Sequence, residues 1–403
     1  MKLRLAGGWL AAVTSLVGLP AMAATPPGGV YSIVDAVSPA QDAITARALK
    51  QSGVDGLLIH LRWNKISPTT KKVYDWSSLD RVVALATAAH KRFEIGIVVG
   101  AALPGWVTAP QPAGMGARHA TFYVDAASAG GCQSFTMAAP YDAAYLSAFD
   151  DMMRQLAQHL HAGKTYAHLG MLKLDGIATT TNELRLPATA ACRHDAVKTW
   201  QGLDYTPAKV RAAWGTMLKA YLKYFPDKSF NIGFIGINAF PGIEADGSAA
   251  STPAKAEYLS KQFAATLIAD AGAAMPGRLA LGFDSLVIAP APGNTSYARS
   301  QAAYFDAAAG ANARLGWQTN ELLGNYPKDG AACSGSSPAN AVPCTGSPQF
   351  REMLFKGIYP EGKTKTPAAQ QGVYLELFPQ NIVVWPAAVA TSRANLALWG
   401  GAK

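Results

Sequence analysis

The hydrophobic residues of this 403-residue chain fall into short continuous runs, separated by stretches with helical periodicity. Continuous apolar runs are typical of parallel strands that are covered on both faces, whereas half-exposed strands alternate polar and apolar positions. The pattern predicts eight strands, at residues 29–35, 54–63, 93–102, 169–180, 230–238, 279–288, 314–322 and 372–378.

Amphipathic segments between these runs predict helices. The clearest spans 76–93, where Leu79, Val82, Val83 and Ala86 form one apolar stripe and Ser77 or Ser78 is placed to cap the first turn. Further helices are predicted at 143–160, 207–225, 254–271, 296–309, 348–359 and 387–399. Strands that alternate with helices in this way predict an α/β fold, a single (β/α)8 TIM barrel over residues 24–403.

The main alternative fold is an open, doubly wound sheet. That fold usually carries a glycine-rich phosphate loop after its first strand, and GVYSIVDAVSP (29–39) has none. Three long segments each follow a predicted strand, namely 103–141, 184–206 and 323–347. In a barrel this position places them at the C-terminal face, where active sites lie.

The first residues have the features of a secretory signal. Lys2 and Arg4 precede an apolar stretch that ends in Ala21-Met22-Ala23, a small-x-small cleavage site, so we expect residues 1–23 to be removed after Ala23. An uncleaved anchor is the alternative, but Gly and Pro interrupt the run well short of the ~20 residues that a membrane span needs. The sequence therefore predicts a secreted or periplasmic protein without a membrane span.

Cysteine usage agrees with an oxidising compartment. The even number of four predicts two disulfides. Cys132–Cys192 would join two long loops, and Cys333–Cys344 would close a short Gly/Ser/Pro-rich loop. A four-cysteine zinc site is the alternative, but no C-x-x-C spacing supports it. We therefore predict no metal and no cofactor.

The charge balance is basic, with a formal net charge of +9. Two of these positive charges lie in the signal segment, which has no acid, and their removal leaves +7. That charge favours an anionic surface or substrate, or it reflects scattered Lys and Arg residues, the interpretation we prefer. The sequence has no run of Lys and Arg interleaved with aromatic residues, so we predict no nucleic acid partner.

Three of the eight glutamates fall at strand positions that can face the barrel mouth. Asn182-Glu183 follows the fourth predicted strand, Glu321 closes the seventh, and Glu376 lies in the eighth. A carboxylate near the core is costly unless it is paired or used. Two such carboxylates suit glycoside cleavage, because one protonates the leaving oxygen while the other attacks or activates water.

Residues 53–107 resemble the N-terminal half of the barrels of clan A glycoside hydrolases. The matching features are Trp63 at the end of the second strand, the YDWSSLD segment at 74–80 and the Pro104-Gly105-Trp106 turn after the third strand. Asn182-Glu183 resembles the acid/base motif of this clan, and Glu321 matches its nucleophile by position.

The resemblance implies a retaining double displacement without metal. Glu321 would attack the anomeric carbon, Glu183 would protonate the leaving group, and Asn182 would hydrogen-bond the sugar 2-hydroxyl. Glu376 is a rival nucleophile, a ligand of a sugar hydroxyl, or the partner of a buried arginine.

Other residues near predicted strand ends are candidates for substrate binding. Four tryptophans would stack on sugar faces or pack in the core, namely Trp63, Trp106, Trp317 and Trp385. Arg62 and His60 would hold a carboxylate in place or pack in the core, and Asp284 would be a ligand or a structural acid.

These features predict an enzyme that cleaves an oligo- or polysaccharide. The alternative from another class is a non-catalytic barrel that binds glycans in the cell envelope, since one fold hosts unrelated functions. A polysaccharide lyase or an esterase is a weaker alternative, and the absence of a Ser-His or metal constellation counts against the esterase.

Overall fold

Eight parallel strands close into a barrel in the computed structural model of the protein. The structure describes residues 27–126, 131–286, 295–319, 354 and 372–400. The barrel strands are β1 (Gly29–Asp35), β2 (Gly56–Arg62), β3 (Arg92–Val98), β6 (Leu169–Lys173), β7 (Ser229–Phe234), β8 (Leu279–Leu286), β9 (Arg314–Thr319) and β10 (Gly372–Leu377). Each of the eight predicted runs overlaps one of these strands, so the predicted (β/α)8 barrel is confirmed.

Each barrel strand pairs with the next one along the chain, and β10 pairs with β1 to close the ring. Tyr31 of β1 lies opposite Glu376 of β10 and Gly56 of β2. Lys173 of β6 lies opposite Asn231 of β7. This register brings polar residues of several strands into the barrel interior at similar heights.

Several strands end earlier than the apolar runs predict. The strand predicted over 169–180 ends at Lys173, although Leu174, Ile177 and Ala178 are as buried as the strand itself. Likewise, Trp63 does not end the second strand but begins the next helix. A continuous apolar run indicates burial, and a loop packed over the barrel mouth meets that condition as well as a strand does.

Helices connect the strands. They are α1 (Asp42–Leu49), α2 (Trp63–Ile66), α3 (Ser77–Ala88), α4 (Gly105–Thr108), α5 (Ala143–Ala162), α6 (Ala196–Gly202), α7 (Pro207–Tyr224), α8 (Pro253–Ala274), α9 (Thr295–Ala311), α10 (Pro379–Val384) and α11 (Pro386–Gly400). Short 3-10 helices lie at Pro39–Gln41 and Tyr166–His168. None of the described helices is both long and apolar enough to cross a membrane. The helix predicted over 348–359 falls outside the described residues, except Leu354.

The helix starts follow the capping chemistry of the sequence. Thr206 and Thr252 cap α7 and α8, each followed by proline in the first turn. The predicted stripe of α3 is buried. Its predicted serine cap is wrong, because the helix begins at Ser77 and the Asp75 carboxylate accepts the Ser77 N–H at 2.9 Å. The carboxylate of Asp75, two residues before the helix start, therefore takes the place of a serine cap.

The segment 103–141 is more than the loop that its composition indicates. It contains an antiparallel hairpin, β4 (His119–Ala126) and β5 (Gly131–Ala138). One face of the hairpin packs inward, where Phe122 contacts Trp200 of α6 at a ring-centroid distance of 4.6 Å. Neither the hairpin nor α6 is predicted from the sequence, because the hairpin strands are largely exposed and α6 has only seven residues.

Candidate functional site

The loop that follows β6, residues 174–187, folds back on itself over the barrel mouth. Arg185 N–H donates to the Ile177 carbonyl at 3.2 Å, and Thr179 Oγ1 donates to the Arg185 carbonyl at 3.1 Å. Leu184 N–H donates to the Gly233 carbonyl of β7 at 2.8 Å. Through this contact Glu183 pairs with Gly233 as a parallel bridge. Glu183 therefore reaches the strand ends although its own strand stops ten residues earlier.

Glu183 lies at the rim of the mouth with 6% of its surface exposed. Thr181 Oγ1 donates to Glu183 Oε2, and Arg185 Nε lies 3.6 Å from the same oxygen. Arg185 Nη2 also donates to the hydroxyls of Thr180 and Thr181, at 3.0 and 2.7 Å. Within the described part of the chain, the side chains that orient the rim carboxylate thus belong to its own loop.

Asn182 lies beside Glu183 and contacts a second acid. Its Nδ2 donates to Asp175 Oδ2 at 3.3 Å, and Ile97 N–H donates to the same oxygen at 2.6 Å. Burial raises the pKa of Asp175 to about 8, although these hydrogen bonds and Lys173 act in the opposite direction. Gly96 leaves the space for this pair, since a Cβ there would lie 2.6 Å from Asn182 Nδ2.

Lys173 contacts several polar side chains in the barrel interior beneath this rim, in the region that we call the floor of the site. Lys173 Nζ donates to Glu376 Oε2 at 2.9 Å, to Asp284 Oδ2 at 3.3 Å and to Gln318 Oε1 at 3.2 Å. Asn231 Nδ2 donates to the other Glu376 oxygen at 3.0 Å. Lys173, Asn231, Asp284, Gln318 and Glu376 form what we call the lumen network. Glu376 has the buried cationic partner considered above, but that partner is a lysine and not an arginine.

Burial and charge set the protonation of the floor. Burial raises the pKa of both Asp284 and Glu376, and Lys173 acts against that rise. Burial alone would lower the pKa of Lys173, but these two acids raise it well above its ordinary value. The lysine therefore stays charged, and the surrounding carboxyl groups compete for its single positive charge.

A further acid lies in the barrel interior. Glu94 is fully buried, and neither of its carboxyl oxygens has a hydrogen-bond partner in the described part of the chain. Burial, reinforced by Glu376, raises the pKa of Glu94 well above the ordinary value for a glutamic acid. Glu94 is therefore a neutral carboxylic acid near pH 7, since an ionised one would be unpaired in a medium of low polarity.

The residues predicted on β2 lie at the edge of this site. Arg62 Nη2 forms an ion pair with Asp35 Oδ2 at 2.8 Å, and its side chain is half exposed. Burial, Lys173 and Arg62 lower the pKa of His60 to about 3, so the imidazole is neutral. The carboxylate that Arg62 contacts is that of Asp35, and the predicted role of Arg62 in substrate binding stays a prediction.

The tryptophans divide into core and periphery. Trp63 and Trp317 are fully buried, and Trp106 is 5% exposed with its Nε1 donating to the Ser67 carbonyl at 3.0 Å. Trp63 and Trp106 pack edge to face at 6.2 Å. These three correspond to the core-packing alternative. Trp385 is half-buried between α10 and α11, and its contact with substrate stays a prediction.

One of the two predicted disulfides is present. Cys132 of β5 is bonded to Cys192, with Cα atoms 5.6 Å apart, so the hairpin is tied to the segment that follows the Glu183 loop. Beside this bond, Tyr123 and His194 stack with ring centroids 3.6 Å apart. Glu321, Cys333 and Cys344 lie outside the described residues.

The lumen network is only partly predicted from the sequence, because Asp284 and Glu376 are candidates there and Lys173, Asn231 and Gln318 are not. Its signal was present, because Lys173 and Asn231 each interrupt an apolar strand with a polar residue, and a buried strand position holds such a residue only when a partner exists. Within the described residues, no group of three or more His, Cys, Asp or Glu side chains is arranged to hold a metal ion.

Comparison with known proteins finds similarity of structure and not of sequence. No protein-family model and no curated protein matches the chain. The catalytic domain of a β-amylase from Paenibacillus polymyxa superposes with a TM-score of 0.55 at 12% identity, over 94% of this chain and 99% of that one. At this identity the similarity shows a shared fold.

A β-galactosidase from the psychrophilic Marinomonas ef1 is a second similar structure, with a TM-score of 0.49 at 12% identity. The match covers 92% of this chain and 59% of that one, so the present chain spans about three fifths of the β-galactosidase.

Proposed function

We propose that the protein is a glycoside hydrolase that cleaves β-glycosidic bonds of an oligo- or polysaccharide with retention of configuration. The observation that carries this proposal is the position of Asn182-Glu183, at the mouth of a closed eight-stranded barrel and directly above a polar floor. In barrel enzymes the catalytic residues come from the C-terminal ends of the strands. The fold shared with a β-amylase catalytic domain is consistent with a glycoside hydrolase.

In the proposed mechanism Glu183 is the acid/base. Thr181 and Arg185 fix its carboxylate so that it can give a proton to the glycosidic oxygen and then take one from water. Asn182, with its Oδ1 unpartnered among the described residues, is placed to accept a hydrogen bond from a sugar hydroxyl. Its Nδ2 is held by Asp175, which fixes the orientation of the amide.

The proposed nucleophile is Glu321, and the environment of Glu376 supports that choice. Both Glu376 oxygens already accept hydrogen bonds, from Lys173 and Asn231, and the side chain is fully buried. Lys173 and Asn231 lie on neighbouring strands, so these two bonds hold Glu376 in one orientation inside the barrel. Glu376 therefore suits a role in holding the floor.

We also propose that the protein acts outside the cytoplasm, in the periplasm or after secretion. The signal-like residues 1–23 support export. The Cys132–Cys192 disulfide supports the same location, because such bonds persist in oxidising compartments.

The test is hydrolysis of aryl β-glycosides and of β-glucan, galactan, mannan and xylan oligomers by the wild type and by Glu183→Gln, Glu321→Gln and Glu376→Gln. We expect Glu183→Gln to lose about 10²–10⁴-fold in kcat on oligomers, the size of a general acid-base contribution. Glu257→Gln is the matched control, because Glu257 is a surface glutamate paired with Arg299.

Stereochemistry tests the retaining mechanism separately. Proton NMR of the first product should show the β-anomer, and release of the α-anomer would mean that the enzyme inverts. Full activity of Glu183→Gln on every substrate would contradict its role as acid/base.

A non-catalytic glycan-binding barrel is the second candidate. The observation in its favour is that Glu183 already has two partners in its own loop, as a purely structural carboxylate would. Oligosaccharide binding by calorimetry, without turnover of any substrate, would establish this alternative.

A further inference from the structure

The ion pairs around the mouth are unequally matched. Arg62 pairs with Asp35, and Arg185 pairs with Glu183, one cation to one acid in each case. Lys173, in contrast, pairs with both Glu376 and Asp284. Asp175 adds a third acid that interacts electrostatically with this lysine. Among the described residues, the floor therefore has more acid groups than cations, although the whole chain is basic.

The floor and the rim belong to one site. Gly233, which forms the bridge with Glu183, has no side chain where the Asp284 carboxylate lies, and a Cβ there would overlap that carboxylate. The same Cβ position is 3.2 Å from the Asn182 carbonyl. Asp284 thus lies directly under the backbone that positions the proposed acid/base.

Unpartnered oxygens converge on this floor. Asp284 Oδ1, Asn231 Oδ1 and the Tyr374 hydroxyl have no hydrogen-bond partner within the described ranges, and all three residues are at most 2% exposed. Measured from the position that a Cβ of Gly282 would occupy, they lie at 3.0, 3.3 and 2.6 Å. The Asn231 amide oxygen and the Asp284 carboxylate, ionised in its pair with Lys173, are acceptors only, so the group that best satisfies them is a hydrogen-bond donor.

We propose that the sugar unit bound against this floor carries no carboxylate or sulfate, and that the site takes neutral or amino-bearing sugars and excludes uronic acids. Hydroxyl and ammonium groups donate to the unpartnered acceptors, whereas a carboxylate would be placed against Asp284 and Glu376. Like charges opposed in a desolvated site are strongly unfavourable. The placement of a sugar at this mouth rests on the proposed function.

The protonation of the floor supports the same selectivity. Burial raises the pKa of Asp284, and Lys173 acts against that rise, so the lysine of the floor is already shared between Asp284 and Glu376. The same lack of solvation would disfavour the carboxylate of a ligand. The overall charge of +9 acts at longer range, where salt screens it, and does not offset contacts within the lumen.

The test is calorimetric binding of matched monosaccharides to the wild-type protein at pH 7. The pairs are methyl β-glucoside with methyl β-glucuronide, and methyl β-galactoside with methyl β-galacturonide, which differ only in the carboxylate at C6. We expect the neutral member of at least one pair to bind, and its uronide to bind at least about tenfold more weakly. Equal or tighter binding of a uronide, or no binding of any of the four, would overturn the proposal.

A charge variant locates the selectivity. Asp284→Asn keeps the shape of the side chain and removes the acid, so discrimination against the uronide should shrink severalfold. Asp306→Asn is the control, because Asp306 is 75% exposed on α9 and lies 4.0 Å from Lys261. If Asp284→Asn has unaltered circular dichroism and still discriminates against the uronide as the wild type does, the floor is not the source of the selectivity.

Failure of this proposal and failure of the hydrolase function are distinguishable. If the protein binds neutral sugars selectively but hydrolyses no glycoside, the proposal about the floor is supported and the hydrolase function is wrong. If the protein hydrolyses uronides as fast as neutral glycosides, the hydrolase function is supported and the proposal about the floor is wrong.

Discussion

The rim and the floor of the barrel mouth hold buried carboxylates in opposite ways. At the rim, the partners of Glu183 are Thr181 and Arg185, two residues away on either side. On the floor, the partners of Glu376 are Lys173 and Asn231, which lie 203 and 145 residues away in the sequence on other strands. The rim carboxylate is therefore held by side chains of one loop, whereas the floor carboxylate is held by side chains of other strands.

This difference assigns separate tasks to similar groups. A residue whose partners are local contributes little to the stability of the whole fold, which leaves it available for chemistry. A residue whose partners span several strands is coupled to the closure of the barrel. Substitutions at the two levels should consequently differ in the free energy of unfolding.

Lys173→Met should have the largest effect on stability. The change removes the cation that Glu376 and Asp284 share, and the loss of one partner from a buried ion pair costs about 3–5 kcal/mol. Urea unfolding followed by circular dichroism measures this loss. Lys261→Met, at a 39% exposed position, is the control. A loss below about 1 kcal/mol would show that the floor is not coupled to the fold.

Gly233→Ala should have the next largest effect, because it affects floor and rim together. The new Cβ would overlap the Asp284 carboxylate, and overpacking of this kind costs about 1–3 kcal/mol. Gly215→Ala in α7 is the matched control, since a Cβ there meets nothing within 4 Å and alanine favours a helix interior by about 0.5–1 kcal/mol. Thermal unfolding of both variants should show opposite signs.

Glu94→Gln should stabilise the protein, and increasingly so as the pH rises. The folded-state pKa of Glu94 is raised, so its contribution to stability is complete below the unfolded pKa of about 4.3 and is lost as the pH rises through the folded pKa. Asp175 changes stability in the same direction, up to its pKa of about 8. Glutamine removes the pH-dependent cost at position 94. Unfolding at pH 5 and at pH 8 measures the gain, and an equal effect at both would contradict a neutral Glu94.

Arg185→Gln should have the smallest effect on stability. Arg185 is 27% exposed, and the partners of its side chain among the described residues belong to its own loop, so we expect the free energy of unfolding to change by less than about 1 kcal/mol. The same denaturation experiment used for Lys173→Met gives the comparison directly. A loss as large as that of the lysine variant would mean that the rim is as coupled to the fold as the floor is.

The sequence pattern was sufficient for the barrel and for the position of Asn182-Glu183, because buried parallel strands are written as local apolar runs. It was insufficient for the end of β6. Ile177 and Ala178 are buried in a loop, and an apolar residue indicates burial without indicating whether it lies in a strand or in a loop. The sequence shows polar residues at buried positions of the lumen network, but it does not show which of them contact each other. Lys173, Asp284 and Glu376 become neighbours only through ring closure, which no local window of sequence contains.

The Cys132–Cys192 bond has a consequence for the engineering of this mouth. Cys132 belongs to the hairpin inserted after β3, and Cys192 to the segment after β6, and these two strands are neighbours in the barrel. The two insertions therefore have to be exchanged together, because replacing one of them alone would leave the cysteine of the other without its disulfide partner. Any redesign of the wall above these strands has to treat both segments as a single part.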